Sequence, residues 1–175
     1  LAPEQLDVDR FERLAADGRD ALAAGDAATA AQLLREALGL WRGAALADFS
    51  YEPFAQAEIA RLDEARLTTL ENRIDADLAL ECHSRLVGEL EALVRAQTRR
   101  ERVRAQLMLA LYRSGRHTDA LETYQVARDA LVEELEIEPG RQLRELHQAI
   151  LEQHPGLDLA SEPPPQEHQR PRASR

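Results

Sequence analysis

Residues 107–140 read LMLALYRSGRHTDALETYQVARDALVEELEIEPG, in which one glycine parts two stretches whose apolar residues recur every three to four positions. This pattern constrains the fold more than any other feature of the chain. A stripe at helical spacing has to be covered, and a chain that reverses at a glycine can cover it with its own other half. Ala120 and Ala127 stand where the second helix meets the first, and bulkier side chains there would overpack the contact. The segment reads as a helical hairpin.

The same grammar occurs three times: FERLAADGRDALAAGDAATAAQLLREAL, TLENRIDADLALECHSRLVGELEALV and AQLMLALYRSGRHTDALETYQVARDAL. The breaks fall at Gly25, Cys82 and Gly115, with Ala30, Val87 and Ala120 five positions later and Ala37, Val94 and Ala127 seven beyond those. Gly25 and Gly115 can take positive φ at no steric cost and so end one helix and reverse the chain. Cys82 cannot do so cheaply, so the middle turn is expected to be different or longer. The spacing from Cys82 to Gly115 is 33 residues, close to the roughly 34-residue period of tetratricopeptide repeats.

Between the first two units an insertion is expected, made of GAALADFSYEPF and a long helix starting near Pro53, where proline suits the first turn. Ile59, Leu62, Leu70, Ile74 and Leu78 form its stripe, long enough to exceed what one stack covers and hence a reason to expect a homodimer. A last helix, GRQLRELHQAIL, follows Pro139 and presents Leu143, Leu146, Ile150 and Leu151 as the apolar face of a cap on the third unit. Five of the eight prolines lie from 155 onward, in a stretch with almost no apolar periodicity. Residues 155–175 are therefore expected to be a disordered tail or linker, and residues 1–154 to carry the fold.

The formal net charge is −10, which repels duplex nucleic acid from most of the surface, so no direct nucleic-acid binding by this fragment is expected. Cys82 is the single cysteine, which excludes an intrachain disulfide and fits a reducing, cytoplasmic setting. No run of about 18 apolar residues appears, and no membrane partner is expected. The chain opens at Leu1 and its one methionine is Met108, so we expect a fragment with something missing upstream.

The stretch RRERVRAQLMLALYRSGRHTDALETYQVARDALVEELEIEPGRQLRELHQAIL, from 99 to 151, resembles the bacterial transcriptional activator domain of the Streptomyces antibiotic regulatory protein family. The opening, FERLAADGRDALAAGDAATAAQLLREALGLWRGAALADF, from 11 to 49, is similar to that domain's first hairpin with its Trp-Arg-Gly turn at 41–43. Departures are Glu136, where glycine is usual before Ile-Glu-Pro, and Cys82 in place of the turn glycine. The resemblance implies a transcription regulator in which a winged helix preceding Leu1 binds promoter DNA. The present domain would then support dimerisation and contacts with RNA polymerase.

Six residues are candidates for a protein contact: Arg99, Arg100, Arg102 and Arg104 in the densest basic cluster, and Gln106 and Arg113 further along the same helix. Arginines at the start of a solvated helix more simply bond water and nearby carboxylates, the helix dipole disfavouring cations there. Arg102, Gln106 and Arg113 belong to a first helix, whose side chains line the concave face in tetratricopeptide stacks. Trp41, Tyr112 and Tyr124 read as core anchors. His147 and His154 are about two helical turns apart, and Cys82 and His83 point in different directions, so neither pair makes a metal site.

No phosphate loop, no nucleophile elbow and no nucleophile beside a base appear, so neither catalysis nor a cofactor is expected. The fold class expected is all-α: a tetratricopeptide-like, right-handed stack of antiparallel helical hairpins with a C-terminal capping helix. The alternative to a transcription regulator is a stand-alone adaptor of the tetratricopeptide type.

Overall fold

The computed structural model describes residues 3–41, 43 and 53–158, all helix, turn or connection with no strand among the described residues. Arg42 of the expected Trp-Arg-Gly turn, most of the insertion before Pro53 and the tail beyond Asp158 lie outside them. Seven α-helices follow in order: α1 (Pro3–Ala23), α2 (Ala27–Gly39), α3 (Pro53–Ala79), α4 (His83–Ala96), α5 (Glu101–Arg113), α6 (His117–Leu135) and α7 (Arg141–Leu151). Among the described residues a 3-10 turn, Pro155–Leu157, comes last. The fold is an all-α stack of hairpins, α1/α2, α3/α4 and α5/α6, closed by α7.

All three reversals use one geometry. At the first, Gly25 has φ 83° and Asp26 N–H donates to Ala21 C=O at 2.9 Å. At the third, Gly115 has φ 78° and Arg116 N–H donates to Leu111 C=O at 2.9 Å. The middle turn matches them, with Cys82 N–H donating to Asp77 C=O at 2.9 Å. Its left-handed residue is Glu81, at φ 61°. The expected break at Cys82 is therefore displaced by one residue, and the turn is neither longer nor of another kind. Counted from Glu81, the interval to Gly115 becomes 34 residues, matching the repeat period.

The shift also changes which side chain sits at the hairpin contact. Five residues past each left-handed position stand Ala30, Leu86 and Ala120, all buried. The alanines let α1/α2 and α5/α6 close tightly, whereas α4 touches α3 sparingly and lies mainly against α5. Gly18 shows how close the first pair comes: a Cβ there would lie 2.6 Å from Leu34 Cγ.

The main core gathers Ile74, Leu90, Val103, Met108, Leu111, Tyr124, Leu143 and Ile150 from α3 to α7, and a smaller one of Ala30, Ala31, Leu34 and Ala76 seals the first hairpin. Leu62, Ile74 and Leu78 of the long stripe are buried within the chain, while Ile59 and Leu70 are half-buried. Helix α7 does cap the third unit, packing on α5 and α6 through Leu143, Leu146 and Ile150. Leu151 does not belong to that face, being 52% exposed. Glu136 takes the left-handed position at the end of α6, with Ile137 N–H reaching back to Leu131 C=O at 3.4 Å. It thus adopts the conformation that glycine would take there more cheaply.

Candidate protein-interaction surface

The basic cluster opens α5 beside the long helix α3, whose polar face carries Glu64, Thr68, Glu71, Asn72 and Asp75. Glu71, 1% exposed, accepts from Arg100 Nε at 2.7 Å and Nη2 at 3.2 Å and from Arg102 Nη1 at 3.3 Å. Arg100 also reaches both oxygens of Glu64 at 2.8 and 2.7 Å. Arg102 donates to Asn72 Oδ1 and Asp75 Oδ2, each at 2.6 Å. The hydrogen bonds to Glu71 and then Glu64, against some desolvation, hold the Arg100 guanidinium above its ordinary value. Three carboxylates thus face two guanidiniums, which leaves no surplus positive charge to attract phosphate.

Two more candidates face inward. Gln106, 4% exposed, donates through Nε2 to Glu71 C=O at 2.8 Å and Asp75 Oδ1 at 2.6 Å. Arg104, 5% exposed, has no hydrogen-bond partner at Nη1 among the described residues. Burial pulls its guanidinium below the usual value, opposed by Glu101 and Glu134. Arg113, at the far end of α5, donates from Nε to Leu157 C=O at 2.8 Å and from Nη1 to Leu78 C=O at 3.2 Å. Arg99 is exposed and borders an open cleft of about 810 Å³ walled by Thr68, Thr98, Arg100 and Glu101. The concave line of Arg102, Gln106 and Arg113 is therefore engaged with the molecule's own α3 and C-terminal turn.

Sequence reasoning missed the partners, not the cations. Glu64, Thr68, Glu71 and Asp75 fall at helical spacing, and an acidic stripe flanking the apolar one on α3 was the available signal. A second set was missed for the same reason. Arg73, half-buried to buried, bonds Asp77 Oδ2 at 3.0 Å and also Glu89, while Arg35 of α2 pairs with the same Asp77. Burial works against the Arg73 charge, but the hydrogen bonds to Glu89 and Asp77 outweigh it and raise its affinity for the proton. Arg35–Asp77 ties the first hairpin to the second, and Arg73–Glu89 ties α3 to α4.

The aromatic residues hold elements together. Tyr124 of α6 stacks on His147 of α7 at 3.9 Å between centroids, and Tyr112 stacks on His117 at 4.7 Å. Trp41 meets Phe11 edge-on at 5.3 Å, with Arg66 lying 5.0 Å over its ring. Among the described residues no three of His, Cys, Asp and Glu converge as a metal would require, and no helix is long and apolar enough to cross a membrane.

Stacked hairpins whose polar groups are bonded to one another, beside a cleft open to solvent, define a tetratricopeptide-like scaffold. The family is narrower than that class. Residues 6–151 match the bacterial transcriptional activator domain, and the chain belongs to that family. It is 47% identical over 157 residues to regulatory protein AfsR of Streptomyces coelicolor, covering 90% of this chain and 16% of that protein. To regulatory protein DnrI of Streptomyces peucetius it is 44% identical over 156 residues, covering 89% of this chain and 57% of that one. The solved structure of Mycobacterium tuberculosis EmbR in complex with a low-affinity phosphopeptide superposes with a TM-score of 0.82 at 34% identity, over 86% of this chain and 40% of that chain. The chain thus spans between a sixth and rather more than half of these relatives. AfsR and DnrI are named as regulatory proteins and EmbR as a transcriptional regulatory protein, which does not favour the stand-alone adaptor.

Proposed function

We propose that this chain is the helical effector domain of an antibiotic-regulatory-type transcriptional activator, working in the cytoplasm by protein contacts and performing no catalysis. The match of residues 6–151 to the activator-domain family carries the reading. Its stacked, internally bonded helices and net charge of −10 support it, since a surface of that sign repels duplex DNA. Promoter DNA is then held by a winged helix elsewhere in the full regulator, and RNA polymerase is the partner of this domain.

Of the six candidate contact residues, Arg99 is the one we assign to that partner, because it is exposed and forms no ion pair among the described residues. Arg100, Arg102, Arg104, Gln106 and Arg113 shape the surface around it through their bonds to α3 and the C-terminal turn or through burial. A homodimer could use only the half-buried part of the α3 stripe, Ile59 and Leu70, since Leu62, Ile74 and Leu78 are covered by this chain itself. The test is a promoter reporter driven by a regulator carrying this domain. Arg99→Glu should lower activation several-fold while leaving promoter binding and the melting temperature unchanged. Full activation by that variant would remove Arg99 from the contact, and activation independent of the whole domain would overturn the function.

A further inference from the structure

After α7 the chain does not simply leave the molecule. Gln153 takes φ 49°, and His154 N–H turns back to Ala149 C=O at 2.9 Å. The 3-10 turn then closes with Leu157 N–H donating to His154 C=O at 3.0 Å and Asp158 N–H to Pro155 C=O at 3.2 Å. His154 Nδ1 accepts from Gly156 N–H at 3.0 Å. Leu157 is half-buried and packs against the main core. Its carbonyl receives Arg113 Nε at 2.8 Å, and the same guanidinium donates to Leu78 C=O in the last turn of α3 at 3.2 Å.

One side chain therefore joins three separate elements: the end of α5, on which it sits, the end of α3, and the segment beyond the cap. The Arg113 guanidinium is half-buried, and burial pulls it below its ordinary value, opposed by Asp158 on the segment and Glu81 in the α3–α4 turn. Leu157 alone would leave the segment held by one apolar contact, and 3-10 turns this short are weak by themselves. The planar fork of arginine can address two carbonyls at once, which a lysine ammonium does less well.

We propose that Arg113 is the keeper of a latch: it fastens residues 154–158 across the ends of α3 and α5, holding Leu157 against the last turn of α3. Opening the latch frees residues 154–158 together and leaves the three hairpins closed. The domain thereby gains a local switch in which residues 154–158 are either fastened to the stack or released from it.

Hydrogen–deuterium exchange on the full 175-residue chain tests this. Arg113→Ala should speed exchange of the Gly156, Leu157 and Asp158 amides at least tenfold, with Met108 and Leu90 in the core changed less than twofold. Arg113→Lys should fall between, and Leu157→Ser should reproduce the local loss with Arg113 intact. Unchanged protection of Leu157 and Asp158 in Arg113→Ala would overturn the latch. Protection lost equally from α3 to α7 would also overturn it, by making Arg113 a support of the whole stack.

Discussion

Replacing Glu81 by glycine should stabilise the protein, although it deletes a side chain. Glu81 holds φ 61°, a conformation that costs an L-residue with a Cβ about 1–2 kcal/mol. Glycine removes that strain but adds about 0.5–1 kcal/mol of lost freedom on folding. The Glu81 carboxylate is exposed, so its attraction to Arg113 is screened and its removal matters little. The net gain should be about 0.5–1 kcal/mol, or a rise in Tm of about 1–4 °C for a chain of this size. Gly115→Ala is the mirror control: a Cβ there meets nothing within 4 Å, so its loss of about 1 kcal/mol reports backbone alone. Urea unfolding of both variants followed by circular dichroism reads the two changes. Should Glu81→Gly prove neutral or destabilising while Gly115→Ala loses stability, the equivalence of the turns, and with it the 34-residue register, is refuted.

Gly18→Ala should cost about 1–2 kcal/mol in the same assay, because its Cβ would lie 2.6 Å from the fully buried Leu34 and improved helix propensity offsets only part of that; a stabilised variant would show that α1 and α2 are not tightly apposed. Glu71→Ala should cost about 2–4 kcal/mol by leaving Arg100 and Arg102 without their shared buried acceptor, and a loss below about 0.5 kcal/mol would demote the network to surface decoration. Burial lowers the proton affinity of His147 from its usual 6.5, so the unfolded chain binds more protons as pH falls. Stability should therefore be fully present above about pH 6.5 and decline below it. His147→Phe should flatten that slope within roughly one pH unit either side of the ordinary histidine value; an unaltered slope would contradict the burial of its ring against Tyr124.

Much of the fold was legible because it rests on local patterns. Gly25 and Gly115 announce reversals, Ala30 and Ala120 announce close contacts, and Pro53 opens the long helix where it was expected. The middle turn is harder to place from sequence: Cys82 stands where the break is expected, whereas the left-handed residue is Glu81, one position earlier, which no residue preference advertises. Leu151 was misjudged because its position at the edge of the α7 stripe differs from that of Ile150 by only one helical step. The surface was less legible than the fold. An arginine run reads alike whether its forks meet solvent or a neighbouring helix, and only the placement of Glu64, Glu71 and Asp75 opposite α5 decides that Arg100 and Arg102 are tied down. Burial of Arg104 and Gln106 follows from the rotation of α5 against its neighbours, a property of packing that a single periodic stripe fixes only loosely.

Binding of the purified chain to bacterial RNA polymerase, measured by interferometry beside a labelled promoter duplex under the same salt, bears most directly on the claim that this domain works through protein contacts. Saturable association with polymerase, weakened by Arg99→Glu, and no association with the duplex is the outcome expected. Tight duplex binding with no response to polymerase would contradict it.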